Sequence, residues 1–332
     1  MKPTILKVWP EIEGYTPLLT SPSDASKSTQ LFKIDFSECY TVDSCGLAAF
    51  LLKVLYHTKY FANNTSWICT GLDNDITLKD KIIKLQFFTP IINYHQESLA
   101  MDSEITLLNK EPIRTESFGT CKFSFPLVYI DFTDCDDRRE TGEKLLKYIL
   151  FERLKEYVGK YSINIMQFIT ILIEIVKNTA DHTNANAVFG MDIIKIEDFI
   201  KINFFYGDLG DGIMEHIKEC LKLKNDSRWE KLDITDVYHK ACEKGYSTNL
   251  NSGKNFGMGM STIIEFAKTM KMRLSVFDAN SRGLLSEFDI PYQFGSFLKK
   301  DFYSHRILRR KFFNFSRRNP FCYYGTVEAR QK

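Results

Sequence analysis

The sequence predicts an α/β protein of two domains: a small α/β unit, then a layer of helices on a mixed, mostly antiparallel sheet. Three observations carry this. The chain has 332 residues, and domains run to roughly 100–200 residues each. Over residues 1–100, β-like and helical patterns alternate at short spacing. Over residues 115–295, helical patterns come first and β-like runs joined by short turns follow. Residues 101–114 read as a linker, and 296–332 as a basic, aromatic C-terminal tail.

In the first domain, the polar stretch 21–30 reads as a loop and Leu31–Ser37 as a buried strand. Asp43 and Ser44 suit the N-cap of an apolar helix from about Gly46 to Tyr60. Ser66–Leu72 is a second strand and Ile76–Phe88 a second helix. In the second domain, Cys121–Phe132 is a strand run. Two helices follow, Asp137–Val158 and Ile163–Asp181. The latter is apolar on most faces and therefore buried. Ala187–Ile196 and Phe199–Gly207 are strands joined at Glu197–Asp198, and Asp208–Gly212 ends the second. A mixed stretch, 213–256, leads to a helix at Ser261–Met270. Two strands around a hairpin turn at Ser281–Gly283 close the domain.

Hydrophobic residues make up 44% and charged residues 26%, ordinary globular values that exclude disordered, collagen-like and coiled-coil classes. The net charge of +2 excludes a polyanion binder as a whole. The charge is uneven, however. Residues 295–332 hold ten Lys/Arg against two Asp/Glu, leaving 34 against 40 in the first 294. The tail also holds nine aromatics, with runs at Arg309–Phe313 and Arg317–Arg318. Interleaved cations and rings suit nucleic acid, and a membrane surface with anionic lipids as well. So many rings also favour a tail docked on the rest of the chain, with its basic heads in water, and that is the expectation.

No apolar run approaches the roughly 20 residues of a membrane span, so no transmembrane segment is expected. The N-terminus lacks a signal-peptide core. The eight cysteines show no CxxC spacing, which argues against zinc ribbons and for reduced thiols in a cytoplasmic protein. The sequons at Asn63 and Asn64 are then chance matches.

Three segments carry chemistry. Spacings of four and three put Glu174, Asn178 and Asp181 on one helical stripe, with His182 beside it. Asn178 can offer a neutral oxygen to Mg²⁺, and Glu174 can take a proton from a nucleophile. A solvated amphipathic face would look the same. Asp208-Leu-Gly210-Asp-Gly212 follows a strand. Its glycines would let backbone approach a flat ring, and its Asp could accept from an exocyclic amine. A tight turn also favours these residues. Gly253-Lys254-Asn-Phe-Gly257-Met-Gly259 opens a helix, where free N–H groups and the helix dipole suit phosphate. A plain connection to a helix is the alternative.

In this order and spacing, the three segments resemble the GHKL superfamily: gyrase, heat-shock chaperone ATPases, histidine kinases and MutL-type proteins. The resemblance covers about 115–295. It implies a Bergerat fold binding ATP and Mg²⁺. Asn178 would hold the metal and Asp208 the adenine amine. Gly210 and Gly212 would shape the adenine wall. Gly257, Gly259 and Lys254 would meet phosphates, and Glu174 would be the base. Residues 213–256 resemble the family's lid. The chain departs at the last strand, where Leu284, Leu285 and Ser286 stand in place of an expected Thr.

Histidine kinases are disfavoured, because only His57 and His95 precede the domain and neither is followed by an acidic residue. Too little chain follows residue 295 for a topoisomerase-type transducer domain. The layout, with Asn178-x-x-x-His182, is similar to anti-sigma-factor serine kinases. The run Ile34-Asp-Phe-Ser37 to Val42-Asp-Ser44-Cys-Gly-Leu47 resembles a STAS domain. That resemblance makes Ser44 a possible phosphoacceptor, while Asp43-Ser44 as a plain helix cap is the favoured alternative. The expected function is a nucleotide-controlled ATPase switch with a protein partner or a homodimer. A serine kinase of a partner-switching circuit, or a non-hydrolysing ATP-dependent interaction protein, are the alternatives.

Overall fold

The computed structural model describes residues 4–7, 11–12, 31–61, 66–72, 75–93, 111–117, 119–130, 132, 151–183, 185–210, 212, 259–278, 281–286 and 321–332. Several expectations fall outside these residues: the loop 21–30, most of the linker, the helix before Phe151, the segment 213–256, Lys254, Gly257, and the tail between 296 and 320.

The architecture is α/β. The N-terminal part contributes β1 (Thr4–Lys7), β2 (Glu11–Ile12), β3 (Leu31–Asp35), β4 (Thr41–Val42), α1 (Ser44–Phe61), β5 (Ser66–Thr70), α2 (Ile76–Lys84) and α3 (Phe88–Asn93). Strands β1, β3 and β5 form a small parallel sheet in that order, and β2 pairs with β4. The rest contributes β6 (Ile113–Ser117), β7 (Thr120–Ser124), β8 (Val128–Ile130), α4 (Phe151–Val158), α5 (Ile165–His182), β9 (Ala187–Ile196), β10 (Phe199–Asp208), α6 (Gly259–Thr269), β11 (Arg273–Asp278), β12 (Ser281–Ser286) and β13 (Phe321–Arg330). The large sheet runs β12-β11-β13-β10-β9-β7-β6, with β8 also on β9. Its pairings are all antiparallel. No helix among the described residues is long and apolar enough to cross a membrane.

Helices α4, α5 and α6 cover one face of this sheet. Phe168, Ile171, Leu172 and Ile175 of α5 share a core with Phe189, Met191, Ile202 and Phe204 of β9 and β10. Helix α1 covers the other face, through a second core that joins Leu47, Leu51 and Leu55 to Val188, Phe205 and Cys322. The same core takes in Ile34 and Phe36 from the small sheet. From Ser44 to Tyr56 every residue of α1 is buried and nearly all are apolar, as a helix segment buried on every side must be. Two glycines let it lie close to the strands. A Cβ at Gly190 would stand 2.6 Å from the Ser44 carbonyl oxygen, and one at Gly207 2.4 Å from Leu52.

The boundaries read from sequence do not follow the packing. Helix α1 shares a core with β9, β10 and β13, so the boundary near residue 100 does not separate two cores. Strand β13 lies in the middle of the large sheet. It pairs with β10 from Phe199↔Arg330 to Asp208↔Phe321, and with β11 from Arg273↔Thr326 to Phe277↔Cys322. The docked tail is therefore realised for Phe321–Arg330, and the boundary at 295 leaves a central strand outside its sheet.

Smaller differences have local causes. The linker ends inside β6, an edge strand whose Arg114 and Glu116 hide it from an apolar search. The run 121–132 breaks around Pro126, which lacks a donor for the ladder. The Phe125 and Leu127 amides donate instead to Met191 and Leu85 carbonyls. The helix expected over 76–88 ends at Lys84, with Gln86 at φ 65°. Ser281 pairs with Asp278, so Ser281–Gly283 belongs to β12 rather than to a turn.

Candidate functional site

Helix α5 is capped by Asn164, whose side chain accepts the Gln167 amide at 3.2 Å. Its apolar positions recur at three and four residues and face the sheet. Its polar stripe, Glu174, Lys177, Asn178 and Asp181, is half-buried rather than solvated. Lys177 Nζ donates to Glu174 Oε1 at 3.1 Å, leaving Oε2 to face elsewhere.

That direction is the start of α6, which packs on α5. Gly259 is its first residue. A Cβ placed there would lie 3.2 Å from Asn178 Oδ1 and 3.2 Å from Glu174 Oε2. A carboxamide and a carboxylate oxygen thus converge on a helix N-terminus. The first amides of a helix have no intrahelical partner, and its dipole is positive there. Gly259, expected from the glycine-rich segment, is therefore brought against Glu174 and Asn178 from the helix motif.

Asp208 is the last residue of β10 and is 1% exposed. The Thr179 hydroxyl donates to its Oδ2 at 2.9 Å, and the Gly210 amide donates to its Oδ1 at 2.9 Å. The Asp208 turn is thereby tied to α5 one residue beyond Asn178. Gly212 takes φ 84°, a left-handed conformation that favours glycine. Asp181 and His182 lie in the last turn of α5, half-buried. Among the described residues no group of three or more His, Cys, Asp or Glu could hold a metal ion.

Three residues of this region went unnoticed in the sequence. Thr179 is a hydroxyl on the apolar face of α5, and that misplaced polarity was the available signal. Lys177 flanks Asn178 and holds Glu174. Tyr206 lies two residues before Asp208, on the same face of β10. Burial pushes its phenol well up, and the Asp208 carboxylate adds to the shift. It is embedded in an apolar run, so nothing distinguished it in sequence.

The strand beside Asp208 is β13, not β12, which pairs with β11. Phe321 stands opposite Asp208, and Tyr323 opposite Tyr206. A threonine does occur there, Thr326, but it pairs with Asn203, five residues away along β10, and donates to its Oδ1 at 3.0 Å.

Ser44 is 0% exposed, and its Oγ accepts the Met191 amide at 3.1 Å. Its own amide donates to Asp192 Oδ1 at 3.1 Å, and the Cys45 amide to Asp192 Oδ2 at 2.8 Å. Asp43 Oδ1 accepts the Gly46 amide at 2.7 Å, and Lys122 Nζ pairs with Asp43 Oδ2 at 3.2 Å. The capping role is thus realised by Asp43. A phosphoryl group on Ser44 would enter a packed joint beside two carboxylates, so the folded chain does not present Ser44 as an acceptor.

Compared with known proteins, the chain matches no family model and no curated protein.

Proposed function

We propose that the chain binds Mg·ATP where α5, the end of β10 and the start of α6 meet, and acts as an ATPase switch of GHKL type. The observation that carries the reading is the convergence of Glu174 and Asn178 oxygens on Gly259, with Asp208 tied to the same helix through Thr179. These are hard oxygens of the kind magnesium takes. Asn178 Oδ1 would hold the ion, which supplies neutralisation of phosphate charge.

Asp208 accepts the adenine amine in this reading. The amides opening α6, with Gly257 and Lys254, meet the phosphates. Glu174 takes a proton from water as the water oxygen bonds the γ-phosphorus. The bond to the β,γ-bridging oxygen breaks, and ADP and phosphate leave. The buried joint at Ser44 favours hydrolysis over self-phosphorylation. The N-terminal unit, with its STAS-like motif, would be the sensor or partner unit. Its α1 rests on β10, the strand that ends in Asp208, which supports a direct mechanical link.

The test is calorimetry with Mg·ATP, followed by incubation with γ-labelled ATP. Binding that falls tenfold or more in Asn178→Ala, about 1.4 kcal/mol, with release of free phosphate by the wild type, is expected. Wild-type affinity in Asn178→Ala would overturn the site. Labelled protein would favour a serine kinase, and bound but unchanged ATP a non-hydrolysing interaction protein.

A further inference from the structure

We propose that Thr179 is a positioning residue that sets the purine preference of this site, by holding Asp208 as a fixed acceptor for a 6-amino group. The inference rests on the ATP-binding reading above. It starts from an arrangement that the E-x-x-x-N-x-x-D spacing does not contain: a hydroxyl on the buried face of α5 donating to a buried carboxylate at the end of β10.

A carboxylate at a strand end can turn about two bonds. Here each oxygen is engaged from a different element. The Gly210 amide, in the turn after β10, donates to Oδ1, and the Thr179 hydroxyl, on α5, donates to Oδ2. Thr179 is 2% exposed and Asp208 1%, so water is a poor substitute for either bond. A carboxylate accepts only, through about four lone-pair sites, and these two bonds engage both of its oxygens. Thr183 does not compete for the Thr179 hydroxyl. Its own hydroxyl donates to the Thr179 carbonyl at 2.9 Å.

The surroundings hold Asp208 to that role. Tyr206, 1% exposed, keeps its proton because burial and the Asp208 charge both oppose ionisation. Thr179 and Gly210 both present donors to Asp208, and its carboxylate is an oriented acceptor. A 6-amino purine offers it an N–H. A 6-oxo purine sets a carbonyl oxygen against a carboxylate oxygen that cannot turn away. A site built on a fixed hydrogen bond rejects the mismatched partner far more strongly than an adaptable one. Without the Thr179 hydroxyl the carboxylate can rotate, so both the amine contact and the rejection of the carbonyl weaken.

The experiment is calorimetry of full-length wild type, Thr179→Val and Thr179→Ser with Mg·ATP and with Mg·ITP, which differ at the purine 6-position. Thr179→Val replaces the hydroxyl by a methyl at nearly constant volume. It is expected to bind ATP about tenfold more weakly, the size of one charge-assisted hydrogen bond, with ITP little changed. The ATP/ITP ratio then falls by about the same factor, and Thr179→Ser restores it. A residue that only stabilised the fold would weaken both nucleotides together. Thr179→Ala is measured in parallel, and the ratio is read from whichever variant keeps the wild-type circular dichroism spectrum. An unchanged ratio in the folded variant overturns this inference alone. Absence of ATP binding by the wild type overturns the ATP-binding reading, and this inference with it.

Discussion

Replacing Asp192 by Ala tests whether the N-terminal helix and the large sheet are one structure. Asp192 is on β9, is 0% exposed, and accepts two amides from the first turn of α1. It does for α1 what an N-cap does, but from a strand 147 and 148 residues away in sequence. Hydrogen bonds to charged groups contribute about 1.5–3 kcal/mol each, so two amount to about 3–6 kcal/mol. Removing the carboxylate also removes the cost of burying it, which favours the lower figure of about 3 kcal/mol. The unfolding entropy of roughly 2.1 cal/mol/K per residue then puts the loss at about 4 °C in Tm for a chain unfolding as a unit. Asp192→Asn keeps one acceptor oxygen and is expected to lose about half as much. Thermal unfolding measures the shift, and hydrogen exchange locates it. The α1 amides should exchange faster in Asp192→Ala, and those of β9 and β10 with them. A Tm within about 1 °C of wild type, with α1 exchange unchanged, would refute the argument that α1 is anchored through Asp192.

Three further outcomes follow from the same geometry. Burial, then the Asp192 and Asp43 charges, raise the Cys45 thiol well above its ordinary 9.0, with Lys122 opposing. The folded state therefore holds that proton more tightly than the unfolded state does. This contribution is intact below pH 9 and is lost as pH rises beyond it. Urea unfolding between about pH 8 and pH 10 should show the wild type losing more stability than Cys45→Ala; parallel curves would exclude Cys45 as the cause. Deleting residues 321–332 removes a strand bonded on both sides, with Cys322, Tyr323 and Val327 buried. The truncated chain should aggregate or lose cooperative melting, and a soluble product with wild-type Tm would contradict the central place of β13. Glu174→Gln should bind Mg·ATP as the wild type does and release no phosphate, because the amide cannot take the proton; turnover at the wild-type rate would remove Glu174 from the mechanism.

Much of the helix layer was legible because its information is local. The period of Phe168, Ile171, Leu172 and Ile175 marks the buried face of α5, and the offset of Glu174, Asn178 and Asp181 marks its polar stripe, with no reference to the rest of the chain. Strands β9 and β10 were legible for the same reason. So was the N-cap at Asp43, where a side chain bonds an amide three residues on. Strand β6 was not legible, because an exposed edge strand with Arg114 and Glu116 carries no apolar alternation. Nor was Thr179, whose significance depends on a partner 29 residues away.

By itself the sequence determined that α1, α2, α5, α6, β3, β5, β9 and β10 form where they do, to within a few residues, and which polar residues share one face of α5. These depend on backbone geometry and side-chain period over a few residues. Only the tertiary structure decided that β13 lies between β10 and β11, that Asp192 caps α1, and that Gly190 and Gly207 make room for that helix. Backbone amides and carbonyls are the same at every residue, so a strand's sequence does not name its neighbour. A glycine in a strand does not say which element will lie against it. Those choices were made when two faces of one sheet had to be covered at once, by α5 and α6 on one side and α1 on the other.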